Sequence, residues 1–145
     1  MNVHTARFGE LDIREQDIVR FEQGIPGFEE LKRFTLIEVE EHAPFSYLQS
    51  IDDGEVSFVI TDPFEFYSEY ECELPDQVVE GLKINSADQV AVRVIVSING
   101  QLETATANLL APVIVNLGSR LGKQVVLAKT SYTTRHSLFQ TSDPK

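Results

Sequence analysis

The chain has 145 residues, is 42% apolar and 9% aromatic, and carries a net charge of -11, which describes one domain with a real hydrophobic core rather than a disordered polyanion. No apolar run approaches the ~20 residues of a membrane span, the opening residues lack a signal-peptide pattern, and the single Cys72 excludes an internal disulfide. Residues 1–92 hold 21 acidic and 6 basic side chains and residues 93–145 hold 2 and 6, too few clustered cations to neutralise phosphates, so direct nucleic-acid binding is not expected.

Period-two alternation predicts strands over 3–8, 17–21 and 34–39. Between them Gly24-Ile25-Pro26-Gly27 reads as a type II turn, with Pro26 fixing φ at the second position and Gly27 taking the left-handed one. A single helical turn is placed at 28–32. Segments 45–51 and 56–61 form a hairpin around Asp52-Asp53-Gly54-Glu55, whose spacing does not match a twelve-residue calcium loop.

Residues 66–74 predict a further strand, with Phe66, Tyr70, Cys72 and Leu74 inward and Tyr67, Glu69, Glu71 and Glu73 outward. A two-turn helix is expected over 75–82, with Val78, Val79 and Leu82 on one side and Asp76 at its N-terminal end. The clearest strand is 90–98: Val90, Val92, Val94, Val96 and Ile98 form its buried face, Arg93 and Ser97 its other face. Asn99-Gly100 then predicts a two-residue hairpin turn leading into a partner strand over 102–109. Strands over 113–116 and 124–129 complete the pattern. The expectation is a mainly β fold: a compact antiparallel β-barrel-like domain over 1–132 with one or two short helices, followed by a flexible tail over 133–145.

From residue 34 to residue 82 there are thirteen carboxylates and no Lys or Arg. Interleaved with Phe and Tyr, such a run reads as one acidic flank of a folded domain, and it attracts cationic partners. The outward row Glu69, Glu71 and Glu73 serves equally as a plain solvated face or, with Phe64 and Tyr67, as a contact surface for Arg or Lys. General acid–base work needs one carboxyl in an apolar pocket and its partner solvated, a contrast that neither Glu69 with Glu71 nor Asp52 with Asp53 displays. His4, His42 and His136 lack metal-ligand spacing, and Gly24-Ile25-Pro26-Gly27 lacks the glycine pattern of a phosphate loop. No metal or cofactor is expected, and Cys72 reads as a buried, unreactive thiol.

Six blocks in order carry a family resemblance. They are Phe21-Glu22-Gln23-Gly24-Ile25-Pro26-Gly27-Phe28-Glu29, Phe45-Ser46-Tyr47-Leu48-Gln49-Ser50, Phe58-Val59-Ile60-Thr61-Asp62-Pro63, the valine strand, Ala107-Asn108-Leu109-Leu110-Ala111-Pro112-Val113-Ile114-Val115-Asn116, and Gln124-Val125-Val126-Leu127. Together the chain resembles FliW, the bacterial flagellar assembly factors. The resemblance implies a non-enzymatic protein that binds the translational repressor CsrA, keeps it off flagellin messenger RNA, and is itself captured by free flagellin; with no secretory address visible, the cytoplasm is the expected location. On this reading Asp62, Phe64, Glu65, Tyr67, Glu69, Glu71 and Glu73 are the expected CsrA contact. A groove edged by Phe45, Tyr47, Leu110 and Pro112 is the expected place for flagellin, although those four also read as core. The alternatives are a small β-barrel enzyme or ligand-binding protein, and a flagellin chaperone that does not touch CsrA.

Overall fold

The computed structural model describes residues 1–98, 100–128 and 130–139. Its strands are β1 (Asn2–Thr5), β2 (Gly9–Asp12), β3 (Ile18–Arg20), β4 (Arg33–Glu38), β5 (Phe45–Ser50), β6 (Ser57–Thr61), β7 (Val90–Ser97), β8 (Thr106–Ala107), β9 (Val113–Asn116), β10 (Leu121–Gln124) and β11 (His136–Ser137), with one helix, α1 (Asp76–Gly81). Seven strands close a barrel in the order β7-β6-β5-β4-β3-β10-β9 and back to β7. Every pairing in the ring is antiparallel except the parallel contact of β10 with β3 at Leu121 and Arg20. Closure removes the free strand edges that an open sheet would expose. Among the described residues no helix is long and apolar enough to cross a membrane.

Directly opposed residues share a sheet face, so the register assigns inside and outside. Ile60 opposite Ile95, Leu48 opposite Phe58 and Ala91 opposite Val115 fill the barrel together with Val19, Phe21 and Phe34. The valine row expected to be the single buried face of β7 is instead its outer face. Val94 and Val96 pack under Tyr70, Leu109 and Leu138, and Val90 and Val92 lie against the cluster of Val78, Leu82 and Ile114. The strand is thus buried on both faces, because a second layer, built from α1, the irregular segment 66–74 and residues 125–127 and 132–139, covers the outside of the barrel.

Local chemistry explains the ends of the elements. The turn at Ile25 closes with a hydrogen bond from the Phe28 amide to the Ile25 carbonyl at 2.6 Å, and Gly27 has φ +90, the left-handed value a type II turn requires there. At the Asp52-Asp53-Gly54-Glu55 turn, the Ser50 hydroxyl accepts from the Asp53 amide at 2.9 Å and the Asp53 side chain accepts from the Glu55 amide at 3.0 Å. Helix α1 starts after Pro75, which caps it with extended backbone and costs no helical donor.

Four expectations are corrected. The strand over 3–8 stops at Thr5, whose hydroxyl accepts from the Phe8 amide and donates to the Gly9 carbonyl. That turn leads into β2, which a single alternating apolar residue, Leu11, did not signal. Residues 66–74 keep the alternating burial predicted from 70 onward but form no strand, since no neighbouring strand pairs with them. The partner of β7 is the two-residue β8, paired Val96 to Ala107 and Ser97 to Thr106. The connection is therefore eight residues long with a 3₁₀ turn at Leu102–Thr104, not a two-residue hairpin, and Asn99 of the expected turn lies outside the described residues. The strand expected over 124–129 is found at Leu121–Gln124, and Lys129 also lies outside the described residues.

Part of the segment expected to be a tail is seated on the domain. His136 and Ser137 pair with Ala107 and Thr106, Leu138 is buried, and Phe139 packs against Phe45 and Phe66. The remainder of that expected tail, 140–145, is outside the described residues.

Candidate functional site

The thirteen carboxylates do not all line one flank, because the chain folds back between them. Glu38, Glu40, Asp62 and Glu65 surround one mouth of the barrel, where a concavity of about 500 Å³ also takes in Arg93 and Phe45. Glu71, Glu73 and Asp76 form a shelf facing Val126, Leu127 and Tyr132. Asp52, Asp53 and Glu55 sit beyond Ser50, at the opposite end of β5 from Phe45 and the mouth. Among the described residues only Asp52 of the thirteen lies within ion-pairing distance of a Lys or Arg, held by Arg33 Nε at 2.8 Å. Among the described residues the carboxylates of the mouth and the shelf therefore stay out of such pairs, with Arg93 the basic side chain that lines the mouth, and the surface between them is predominantly negative.

The segment joining mouth and shelf is positioned by side-chain hydrogen bonds in place of a strand ladder. Asp62 accepts from the Phe64 amide at 2.9 Å and caps the 3₁₀ turn Pro63–Glu65. That turn presents Phe64, which is 43% exposed and meets the Tyr70 ring edge-on at 5.7 Å. The Tyr70 hydroxyl donates to the Leu109 carbonyl, and the Tyr132 hydroxyl accepts from the Glu71 amide at 3.0 Å. The Tyr70 and Tyr132 rings lie 4.8 Å apart. Glu69, Glu71 and Glu73 are exposed as expected.

Tyr67 departs from its expected outward position. It is half-buried beside His136, and its hydroxyl donates to the Ser137 carbonyl, so it holds the C-terminal segment instead of meeting solvent. Burial raises the Tyr67 and Tyr70 hydroxyls above their ordinary value, keeping both neutral donors at physiological pH. Burial likewise pushes the Cys72 thiol up to about 11.

The four residues expected to edge a flagellin groove differ in burial and in partners. Phe45 stacks on Phe66 at 6.1 Å and Tyr47 is buried, with its hydroxyl hydrogen-bonded to His42 Nδ1 and its ring under the Arg7 guanidinium. Leu110 is half-buried and Pro112 buried in the connection between β8 and β9, where their carbonyls accept from the Leu127 and Val125 amides. Tyr47 and Pro112 are buried, which leaves Phe45 and Leu110 as the half-exposed members of the four. The sequence reading also missed members of the acidic surface. Glu38 and Glu40 belong to the acid run but were not among the expected contacts; they line the mouth beside the basic Arg93, and Val126, 66% exposed, comes to the shelf from 50 positions beyond Asp76. Among the described residues no group of three or more His, Cys, Asp or Glu is placed to hold a metal ion.

Comparison with known proteins gives one answer. A family model described as FliW protein matches residues 2–138. The flagellar assembly factor FliW of Geobacillus sp. (strain WCH70) is 46% identical over 139 residues, covering 96% of this chain and 96% of the relative. That of Moorella thermoacetica (strain ATCC 39073 / JCM 9320) is 44% identical over 143 residues, covering 98% and 90%. A crystal structure of the flagellar assembly factor FliW has TM-score 0.94 and 43% identity, covering 99% of this chain and 100% of that one.

Proposed function

The chain belongs to the FliW family of flagellar assembly factors, and from that premise we propose that it binds the translational repressor CsrA and keeps it off flagellin messenger RNA until free flagellin captures it. Flagellin then limits its own translation. The observation that carries this reading is the acidic surface running from the barrel mouth to the shelf, with Glu38, Glu40, Asp62, Glu65, Glu71, Glu73 and Asp76 free of Lys or Arg ion pairs among the described residues. A protein that holds RNA phosphates is basic where it holds them, so it is drawn to such a surface and loses RNA affinity beside it. If RNA and this protein occupy different sites on CsrA, the coupling is reciprocal, and RNA weakens this complex by the same factor.

The contact residues are Asp62, Phe64, Glu65, Glu69, Glu71 and Glu73, with Tyr67 acting from beneath through its hold on the C-terminal segment. Only Phe45 and Leu110 of the expected flagellin groove are half-exposed, so the flagellin step rests on the family relationship. Calorimetry of CsrA binding with Glu69, Glu71 and Glu73 reversed to Lys, at two salt concentrations, tests the reading. Affinity and salt dependence both fall if the surface is the contact; unchanged values eliminate it.

A further inference from the structure

We propose that the open apolar trough between α1 and the outer face of β7 is the docking site for a cationic amphipathic helix of the partner protein, which names the mode of contact on the acidic surface and rests on the partner binding proposed above. The trough encloses about 540 Å³ and is walled by Phe64, Cys72, Leu74, Val79, Ile84 and Val92, with Asn85 and Ser86 as its polar side chains. Its walls are incompletely covered: Phe64 is exposed and the other five are half-buried. The outer layer that seals Val94 and Val96 beneath Tyr70, Leu109 and Leu138 leaves Val92 half-exposed. An apolar cleft of this size on a charged surface is a place where side chains insert.

Charge selects the occupant. Glu65 adjoins Phe64, Glu73 adjoins Leu74, and Asp76 and Glu80 stand on α1 with Val79; all four are exposed. Leu74 is shared with the acidic shelf, so trough and shelf are continuous. Lys83, beside Ile84, is the one basic residue in the segment 64–92. A helix with apolar residues at i, i+3, i+4 and i+7 and Lys or Arg along its flanks places its ridge in the trough and its cations over the carboxylates. A second copy of this chain would bring acid against acid, and an anionic lipid surface would be repelled in the same way.

The test uses the full-length protein and its only cysteine, Cys72, as a reporter on the trough wall. The probe is an 18-residue Leu/Lys peptide with one apolar face, compared with a permuted peptide of equal composition and with a Leu/Glu version. The Leu/Lys helix slows maleimide alkylation of Cys72, the two controls do not, and Phe64→Ala weakens peptide binding about tenfold or more. Equal protection by the permuted peptide, protection by anionic vesicles instead, or unchanged binding by Phe64→Ala overturns the proposal. CsrA itself separates this proposal from the function. A CsrA complex that leaves Cys72 as reactive as before sinks the trough and spares the function; peptide protection without any CsrA complex does the reverse.

Discussion

The Tyr70 hydroxyl donates to the Leu109 carbonyl at 2.7 Å, a buried contact spanning 39 positions. It ties the acidic segment 66–74, which has no strand partner, to the connection between β8 and β9. Together with the Tyr132 hydroxyl that accepts from the Glu71 amide, it stands in for a strand ladder.

Tyr70→Phe therefore keeps the packing against Phe64 and Tyr132 but removes the donor inside the outer layer. The expected cost is about 1–3 kcal/mol of unfolding free energy, the usual penalty when a buried group loses its partner. Denaturant titration measures it, and Cys72 alkylation should speed up as the segment loosens. An unchanged midpoint would show that this bond does not hold the segment.

Glu71→Gln with Glu73→Gln removes shelf charge, whereas Asp53→Asn removes one at the other end of β5 while keeping the oxygen that accepts from the Glu55 amide. Both variants should unfold within about 0.5 kcal/mol of the parent, as exposed sites usually do. Only the shelf variant should lower CsrA affinity and flatten its salt dependence. An effect of Asp53→Asn about half that of the shelf variant, in proportion to the one and two charges removed, would mean that net charge matters and position does not.

Asp52 is the acid of the run that serves stability. Burial raises its pKa, but the Lys32 amide and the side chain and amide of Arg33 all donate to the carboxylate and outweigh it, leaving the group below its ordinary value. A depressed folded pKa means that the contribution is fully present above the ordinary carboxylate range and is lost as pH falls through the folded value. Asp52→Asn should cost about 1–2 kcal/mol at neutral pH, and the gap from the parent should close as the solution is acidified below that range. A gap that stays constant with pH would contradict this role.

Gly122 lies on β10 where an added Cβ would stand 2.6 Å from the Phe21 ring, which is fully buried inside the barrel. Gly122→Ala should destabilise by about 1–3 kcal/mol through overpacking. Gly81→Ala, at the end of α1 with open space around it, should instead stabilise by about 0.5 kcal/mol or more. Thermal melts of the two variants should move in opposite directions.

Local pattern settled a great deal of this protein. The Ile25 to Phe28 turn, the hairpin of β5 and β6, the helix after Pro75 and the alternating burial of residues 70–74 all follow from side-chain chemistry within a few residues. The uninterrupted acid run follows from composition alone. Tertiary structure decided the rest: that the valine row faces an outer layer and not the barrel interior, that 66–74 is held by the tyrosines Tyr70 and Tyr132 without a strand partner, that Leu138 and Phe139 dock, and that the acid run divides into mouth, shelf and far turn. Alternation reports which side of a chain is covered, whereas only the closed path of the backbone determines what covers it and which distant charges come to share a surface.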